Sequence, residues 1–396
     1  MPGTELFGAE EKKEVMDVLE TGILFRYNHD NLRNGHWKAK TLEKELAQFC
    51  GSKYAHAVSS GSTAVATAMA AAGIGAGDEV IVPPFTFLAT VEGALLGGAL
   101  PVFAEIDETL CISPEGIKAA ITPKTKAVVL VHMLGGMARI DEIVDICKEH
   151  NLILIEDTAQ ALGGSFKGKM LGTFGQVGCF SFDFFKIITA GEGGALITDD
   201  KQIYDNAHMF SDHGHDHIGD NRGAEQHPIL GFNYRIGELN AAVGLAQLRK
   251  IEYILARQRA NKKKIKDMLK QFPEITFRNL PDENGDSATF LNFFLKDEAT
   301  ARRVHEAMSA ASLGSAYWYD NNFHYIKNWD HLKNMNTIAK LPIEMMEAPQ
   351  DYKNLKLPKS DEVLSRMVCF LIKVNWTEEE LDSYVAKIEQ VLKEVL

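Results

Sequence analysis

Apolar and polar positions alternate along the first two-thirds of this chain in a repeating order of short strands and longer helices. Residues 5–20 set Val15, Met16, Val18 and Leu19 at helical spacing and predict an amphipathic helix. Residues 21–40 are polar, aromatic and locally basic and predict a loop, and residues 41–50 predict a second helix ending at Gly51. Residues 55–58 then predict a strand, 59–63 a turn rich in serine, threonine and glycine, and 64–72 a helix of small residues. Strands follow at 79–82, 101–105, 126–131 and 152–155, with helices running to about Leu96 and over 140–150. The runs 126–131 and 152–155 are apolar almost throughout, the pattern of strands covered on both faces. Strands and helices in this alternation imply an α/β fold with a mainly parallel sheet flanked by helices.

The pattern changes further on. Residues 179–198 carry a run of aromatics, then Lys186, then the turn Gly191-Glu192-Gly193-Gly194, then a strand at 195–198. Residues 200–230 are polar and histidine-rich, 237–250 predict an Ala/Leu-rich helix, and 249–272 predict its continuation as a long charged helix. Beyond Pro273 the elements are a strand at 288–294, a helix at 299–312, a strand at 316–319 and an irregular stretch over 320–360. Thr377-Glu378-Glu379-Glu380 is a capping box, followed by Leu381, Val385, Ile388, Val391, Leu392 and Val395 on one helical face. The expected organisation is a large domain over 1–270 and a smaller α+β domain over 271–396.

Composition narrows the function. A net charge of −12 without a basic stripe argues against a nucleic-acid binder. Five scattered cysteines without C-x-x-C pairs fit reduced thiols rather than a disulfide framework or a zinc site. The N-terminal residues lack a basic segment followed by an apolar core, and no apolar run nears the roughly 20 residues that span a bilayer. These features predict a cytoplasmic protein.

In parallel sheets of this kind, ligands bind beyond the carboxyl ends of the strands. Ser60–Thr63, Phe85–Phe87, His132 and Glu156-Asp157 all fall there. The S-S-G-S-T turn offers hydroxyls and free backbone N–H groups at a helix N-terminus, which suit a phosphate or carboxylate and equally suit ordinary capping by Ser60 or Ser62. Asp157 reads as a helix cap, a partner for a protonated ring nitrogen or, less well, a metal ligand, since no further ligands follow at metal spacing. Lys186, set among Phe182, Phe184, Phe185 and Ile187, reads either as a lysine with a lowered pKa and a nucleophilic amine, or as one whose stem packs on aromatics while its head reaches water. His213, His215 and His217 have alternate spacing open to zinc or nickel, but fit a mobile active-site loop better. Arg26, Arg33 and Lys38 place cations in an otherwise acidic chain and are candidates for a substrate carboxylate, the arginines through their bidentate fork.

Taken in order, S-G-S-T-A, P-P-F-T-F, I-E-D-T-A-Q, S-F-x-x-x-K, G-E-G-G and G-F-N-Y-R resemble the DegT/DnrJ/StrS family of sugar aminotransferases, over residues 1–270 and more loosely beyond. The resemblance implies the aspartate aminotransferase fold, fold type I, with pyridoxal 5'-phosphate as cofactor. It implies that Lys186 carries the cofactor, that Asp157 pairs with its ring nitrogen and that Gln160 lies by its phenolic oxygen. It further implies that Phe87 stacks on the ring, that Ser62, Thr63 and Ser181 hold the phosphate, and that Asn233 reaches over from a second subunit of a homodimer.

Lys186 also argues against the family's dehydratases, which carry histidine there. Three features depart from the family pattern: Asp183-Phe184-Phe185 before the lysine, the long basic loop 21–40, and the stretch Tyr317–Asn322. The overall sequence is similar to the branch that aminates a free, carboxylate-bearing eight-carbon keto-sugar for lipopolysaccharide, with glutamate as donor. The substrate candidates are then Arg26, Arg33, Lys38 and His213. The competing expectations are an aminotransferase acting on a nucleotide-linked keto-deoxysugar and a sensor or regulator that binds the cofactor without turnover.

Overall fold

The computed structural model describes residues 2–219 and 221–396. Seven strands form one sheet, in the spatial order Tyr54–Val58, Gly194–Thr198, Val177–Ser181, Ile153–Asp157, Thr125–Val131, Glu79–Val82, Leu100–Phe103. The Gly194–Thr198 strand runs antiparallel to both of its neighbours, and every other pairing in the sheet is parallel. The carboxyl ends of the parallel strands therefore share one edge, which the antiparallel strand enters at Gly194. Val58 and Ser181 both pair with Gly194, Asp157 pairs with Cys179, and Val131 pairs with Asp157. This register gathers residues from distant parts of the chain along one line.

The expected elements of this half are present with small shifts at their ends. The small-residue helix begins at Gly61 and the next runs Leu88–Leu96. The charged stretch near 250 is two helices, Glu238–Leu248 and Ile251–Leu269, with Arg249 and Lys250 between them. The Val177–Ser181 strand did not announce itself: V-G-C-F-S has neither alternation nor a long apolar run.

A second sheet has four strands, in the order Thr276–Phe277, Phe290–Phe294, Met367–Leu371, Ser315–Ala316, all antiparallel. Its inner strand, Met367–Leu371, is a five-residue apolar run that periodicity cannot tell from a buried turn of helix. The strand expected over 316–319 stops at Ala316, because Trp318–Asp320 coil into a short 3-10 turn. The capping box of the last helix forms as expected: Glu380 N–H donates to the Thr377 hydroxyl at 3.2 Å, and Thr377 N–H to the Glu380 carboxylate at 2.8 Å.

One continuous apolar core joins Val128 and Ile155 of the large sheet to Phe293, Trp329 and Phe370 around the small one. The proline-rich strap 83–88 fastens the two. Thr86 N–H donates to the His324 carbonyl (2.9 Å), Leu88 N–H to that of Phe323 (3.3 Å), and Ile326 N–H to that of Pro84 (3.0 Å). The Pro84 carbonyl keeps its acceptor although proline lacks an N–H, so the strap pairs through the groups it has. The pairing hangs Phe323 and His324 over the edge where the large strands end.

Candidate active site

A cavity of about 530 Å³ opens at that edge. Ser60, Gly61 and Ser62 line one side, Asp157, Gln160 and Ser181 the floor, Lys186 the middle, and Trp318, Phe323 and His324 the far wall. The alternation of the Ile153–Asp157 strand explains its floor. Asp157 faces the cavity, while Glu156 turns to the other face and is spent on structure. There Glu156 meets His132 Nε2 at 2.9 Å and accepts backbone N–H groups from Gly172, Phe174 and Gly175. Burial opposes its ionisation, but His132 and those amides prevail and hold its pKa below the ordinary value. His132 belongs to this internal pair and does not line the cavity.

Asp157 is held in place by its neighbours. Thr90 donates its hydroxyl to Oδ2 at 2.7 Å, and Ala159 N–H donates to Oδ1 at 3.1 Å. Thr90 in turn contacts the Thr86 hydroxyl at 2.7 Å. Gln160 is oriented the same way. Its amide oxygen accepts Leu134 N–H at 3.0 Å, which leaves the amide nitrogen as a donor for the cavity.

Lys186 stands 6.0 Å from the centre of the Phe87 ring, and Phe87 keeps 40% of its surface exposed. Burial lowers the lysine's pKa, against the opposing pull of Asp157 and Asp183. The aromatics expected to bury it do so only in part. Phe182 is fully buried, but Phe184 and Phe185 are 52% and 65% exposed, packed edge-to-face on each other. Phe87, His324 and Trp318 enclose the cavity instead, in mutual ring contacts of 5.4 and 4.7 Å. No local signal gave His324, and Trp318 was marked only as part of the unusual stretch Tyr317–Asn322; both reach the site through the strap.

The helix Gly61–Ala71 points its N-terminus at the same space. Ser60 is its cap: the Ser60 hydroxyl accepts Thr63 N–H at 3.1 Å, and the Thr63 hydroxyl accepts Ser60 N–H at 2.9 Å. Thr63 is thus engaged within the helix and does not line the cavity. Ser62 and Ser181 do line the cavity. A Cβ on Gly61 would sit 2.6 Å from Ser181 Cβ, and one on Gly194 would sit 2.3 Å from the Ser60 carbonyl oxygen. Both glycines let the helix end press against the strand ends, leaving a cradle of N–H and hydroxyl donors suited to a phosphate.

The basic residues of loop 21–40 lie elsewhere. Arg26 is buried, donates to the Ala57 carbonyl at 2.6 Å and pairs with Glu43 at 2.5 Å. Arg33 is buried too. It donates to the carbonyls of Phe25, Tyr27 and Asn28, lies 3.8 Å from Glu238 and covers the Trp37 ring. Lys38 Nζ bridges Glu14 and Asp17 at 2.5 and 2.6 Å. Their charges are satisfied inside the chain, and none lines its cavity. His213 is exposed and also outside it. The histidine loop is tied down rather than free: buried Asp212 binds Arg222 and Arg235 at 2.6 and 2.5 Å, and His217 stacks on His208 at 3.9 Å. Asn233 is exposed on its own chain and does not reach its own cavity.

A lysine with a lowered pKa, an anchored carboxylate, an exposed aromatic face and a helix N-terminus around one cavity fit a pyridoxal-phosphate aminotransferase of fold type I. Residues 7–342 match the DegT/DnrJ/EryC1/StrS aminotransferase family, and the chain belongs to that family. It is 31% identical to the spore coat polysaccharide biosynthesis protein SpsC of Bacillus subtilis over 395 residues, 98% of this chain and 96% of that one. It is 44% identical to the GDP-perosamine synthase of Vibrio cholerae over 219 residues, 55% of this chain and 59% of that one. Among solved structures, the aminotransferase from Psychrobacter cryohalolentis superposes with a TM-score of 0.83 at 28% identity over 98% of each chain. A GDP-4-keto-6-deoxymannose-3-dehydratase holding a trapped PLP-glutamate geminal diamine superposes at 0.81 with 26% identity, over 97% of this chain and 98% of that one.

Proposed function

We propose that this aminotransferase moves the amino group of glutamate onto the carbonyl of a keto- or aldehydo-sugar. The proposed acceptor is the 8-keto form of 3-deoxy-manno-octulosonate, giving 8-amino-3,8-dideoxy-manno-octulosonate for lipopolysaccharide. The observation that carries the reading is the convergence of Lys186, Asp157 and the Ser60–Ser62 helix end on one cavity. The named sugar pathways of the relatives support a sugar acceptor. The unusual Asp183–Phe185 and Tyr317–Asn322 stretches both contribute to the cavity wall, through Asp183, Phe185 and Trp318, and support an acceptor outside the common set.

The bound cofactor supplies a ring that withdraws electrons from the carbon losing its proton. In this reading Asp157, fixed by Thr90, would keep the ring nitrogen protonated, and the Gln160 amide nitrogen would be free to donate to the phenolic oxygen. Phe87 would pack on the ring, and Ser62, Ser181 and the helix N–H groups would hold the phosphate. Lys186 would anchor the cofactor, and its amine, its pKa lowered by burial, would take and return the proton. Asn233 of a second copy completes the phosphate site in a homodimer; its exposure outside its own cavity supports that placement. Five free, buried cysteines support a reducing, cytoplasmic setting.

A second reading, amination of a nucleotide-linked keto-deoxysugar, is favoured by the 44% identity to a GDP-perosamine synthase. The absorption spectrum of the holoenzyme tests the class: glutamate should shift the cofactor's visible band to that of its amine form, and Lys186→Ala should lack both band and shift. The amine form is then offered the 8-keto sugar acid and GDP-4-keto-6-deoxymannose. Faster return of the band with the sugar acid supports the first reading, and with the nucleotide sugar the second. An absent shift with glutamate overturns both.

A further inference from the structure

We propose that Arg278 is a positioning residue for the cofactor: it holds the turn whose Leu134 N–H aims the Gln160 side chain into the cavity. The inference rests on the reading above that places Gln160 at the cofactor's phenolic oxygen. Arg278 follows the edge strand Thr276–Phe277 of the small sheet, and its side chain is buried. Taking a guanidinium out of water is costly, and a buried arginine is ordinarily matched to a carboxylate. Arg278 has no such partner among the described residues. Its side chain is spent instead on two turns that follow strands of the large sheet. Nε donates to the Thr109 carbonyl at 2.7 Å and Nη2 to Cys111 Sγ at 3.6 Å, on either side of Leu110. Nη1 donates to the Leu134 carbonyl at 3.4 Å.

Both turns are strained. Leu110 and Leu134 have φ of +61° and +52°, and a bulky side chain adopts this left-handed backbone only against steric repulsion. Such a residue keeps its place when its surroundings hold it there. The surroundings of Leu134 come from the small sheet's half of the core. Its carbonyl accepts Arg278, and the next carbonyl, that of Gly135, accepts Ser287 N–H at 3.1 Å. A Cβ on Gly136 would stand 2.6 Å from Arg278 Cζ, so the turn lies directly against the guanidinium. The turn's free end is the Leu134 N–H, which donates to Gln160 Oε1 at 3.0 Å. That bond is the one protein contact that tells the two ends of the Gln160 amide apart, and it sends the nitrogen toward the cavity. Arg278, Leu134 and Gln160 thus form a relay from the small sheet to the cavity floor. Without the guanidinium the turn can relax, and the Gln160 amide loses its fixed orientation.

The pH titration of the holoenzyme's visible band tests this. The band changes as the nitrogen that joins the cofactor to Lys186 gains or loses a proton. A donor on the phenolic oxygen favours the form without that proton, so losing the donor raises the pH midpoint. Gln160→Ala should raise it by about 0.5–1 pH unit, the change for one hydrogen bond. Arg278→Met, similar in bulk but uncharged, should raise it by a comparable amount. The double variant should match Gln160→Ala alone, because Arg278 acts through Gln160. Arg278→Lys keeps the buried charge but lacks the fork that spans both turns, so it should raise the midpoint too while unfolding nearer to wild type. A merely structural Arg278 would lower the unfolding temperature and leave the pH midpoint of the band in place. That result, or shifts that add in the double variant, overturns the proposal alone. Gln160→Ala without a shift removes Gln160 from the phenolic oxygen and this inference with it, while the band change with glutamate still decides the aminotransferase reading.

Discussion

Thr90, on a helix of the N-terminal half, donates its hydroxyl to Asp157 Oδ2 at 2.7 Å across 67 residues of sequence. The bond fixes how the Asp157 carboxylate is turned toward the cavity, where the proposed function has it meet the cofactor's ring nitrogen. Thr90→Val keeps the branched shape and removes the donor. Its apoprotein should bind pyridoxal phosphate roughly 10-fold more weakly, as expected for losing a hydrogen bond to a charged group. An absorbance titration of the apoprotein reads this, and unchanged affinity would show that Thr90 does not position Asp157.

Gly61 permits the close contact between the helix end and Ser181. A methyl group there would stand 2.6 Å from Ser181 Cβ and must push the cradle open. Gly61→Ala should weaken cofactor binding by more than Ser62→Ala, which removes one hydroxyl and leaves the backbone donors in place. The reverse ranking in the same titration would place the phosphate on the side chains rather than on the helix end.

Arg26 is a structural cation. Removing it leaves Glu43 buried with His56 as its remaining side-chain partner, at 3.2 Å. Burial pushes the Glu43 pKa up, but Arg26 and His56 outweigh it and hold the group ionised. Arg26→Ala should destabilise the fold by about 3–5 kcal/mol, the usual cost of orphaning a buried charge. The drop appears as a lower unfolding midpoint, while the acceptor KM of the folded enzyme stays near wild type. A raised KM with unchanged stability would return Arg26 to the substrate site.

His217 makes stability depend on acid. Burial lowers its pKa from 6.5 to about 4, against Asp212, which favours the charged form. Between those values the unfolded chain holds the proton and the folded chain does not. Stability is therefore full above pH 6.5 and falls as pH drops toward 4, by about 1–3 kcal/mol. His217→Phe keeps the stack on His208 and removes the proton, so its unfolding midpoint should fall less steeply over this window. Parallel slopes for the two proteins would assign the acid sensitivity to other groups.

The apolar runs 79–82, 126–131 and 152–155, and the helices between them, were legible because each element's periodicity is local, whereas their order in the sheet is not sequential. Lys186, Asp157, Gln160, Phe87, Ser62 and Ser181 were legible as neighbours around one cavity because each lies in a short motif near a strand end, and one register brings those ends together. Thr63 belongs to such a motif too, but its motif does not say whether a hydroxyl at the third helical position serves the cap or a ligand, and here it accepts Ser60 N–H. The surroundings of Arg26, Arg33 and Lys38 were not legible for a related reason: sequence shows a charge but not its partner, and Glu43, Glu238, Glu14 and Asp17 become their partners only once the chain has packed. His324 left no local trace, and Trp318 stood out only as part of the unusual stretch Tyr317–Asn322, with nothing to place it at the cavity. Their place over the cavity depends on backbone bonds between the 83–88 strap and a segment more than two hundred residues away, and contacts between such distant segments are decided by the packing of the whole core rather than by any pattern nearby.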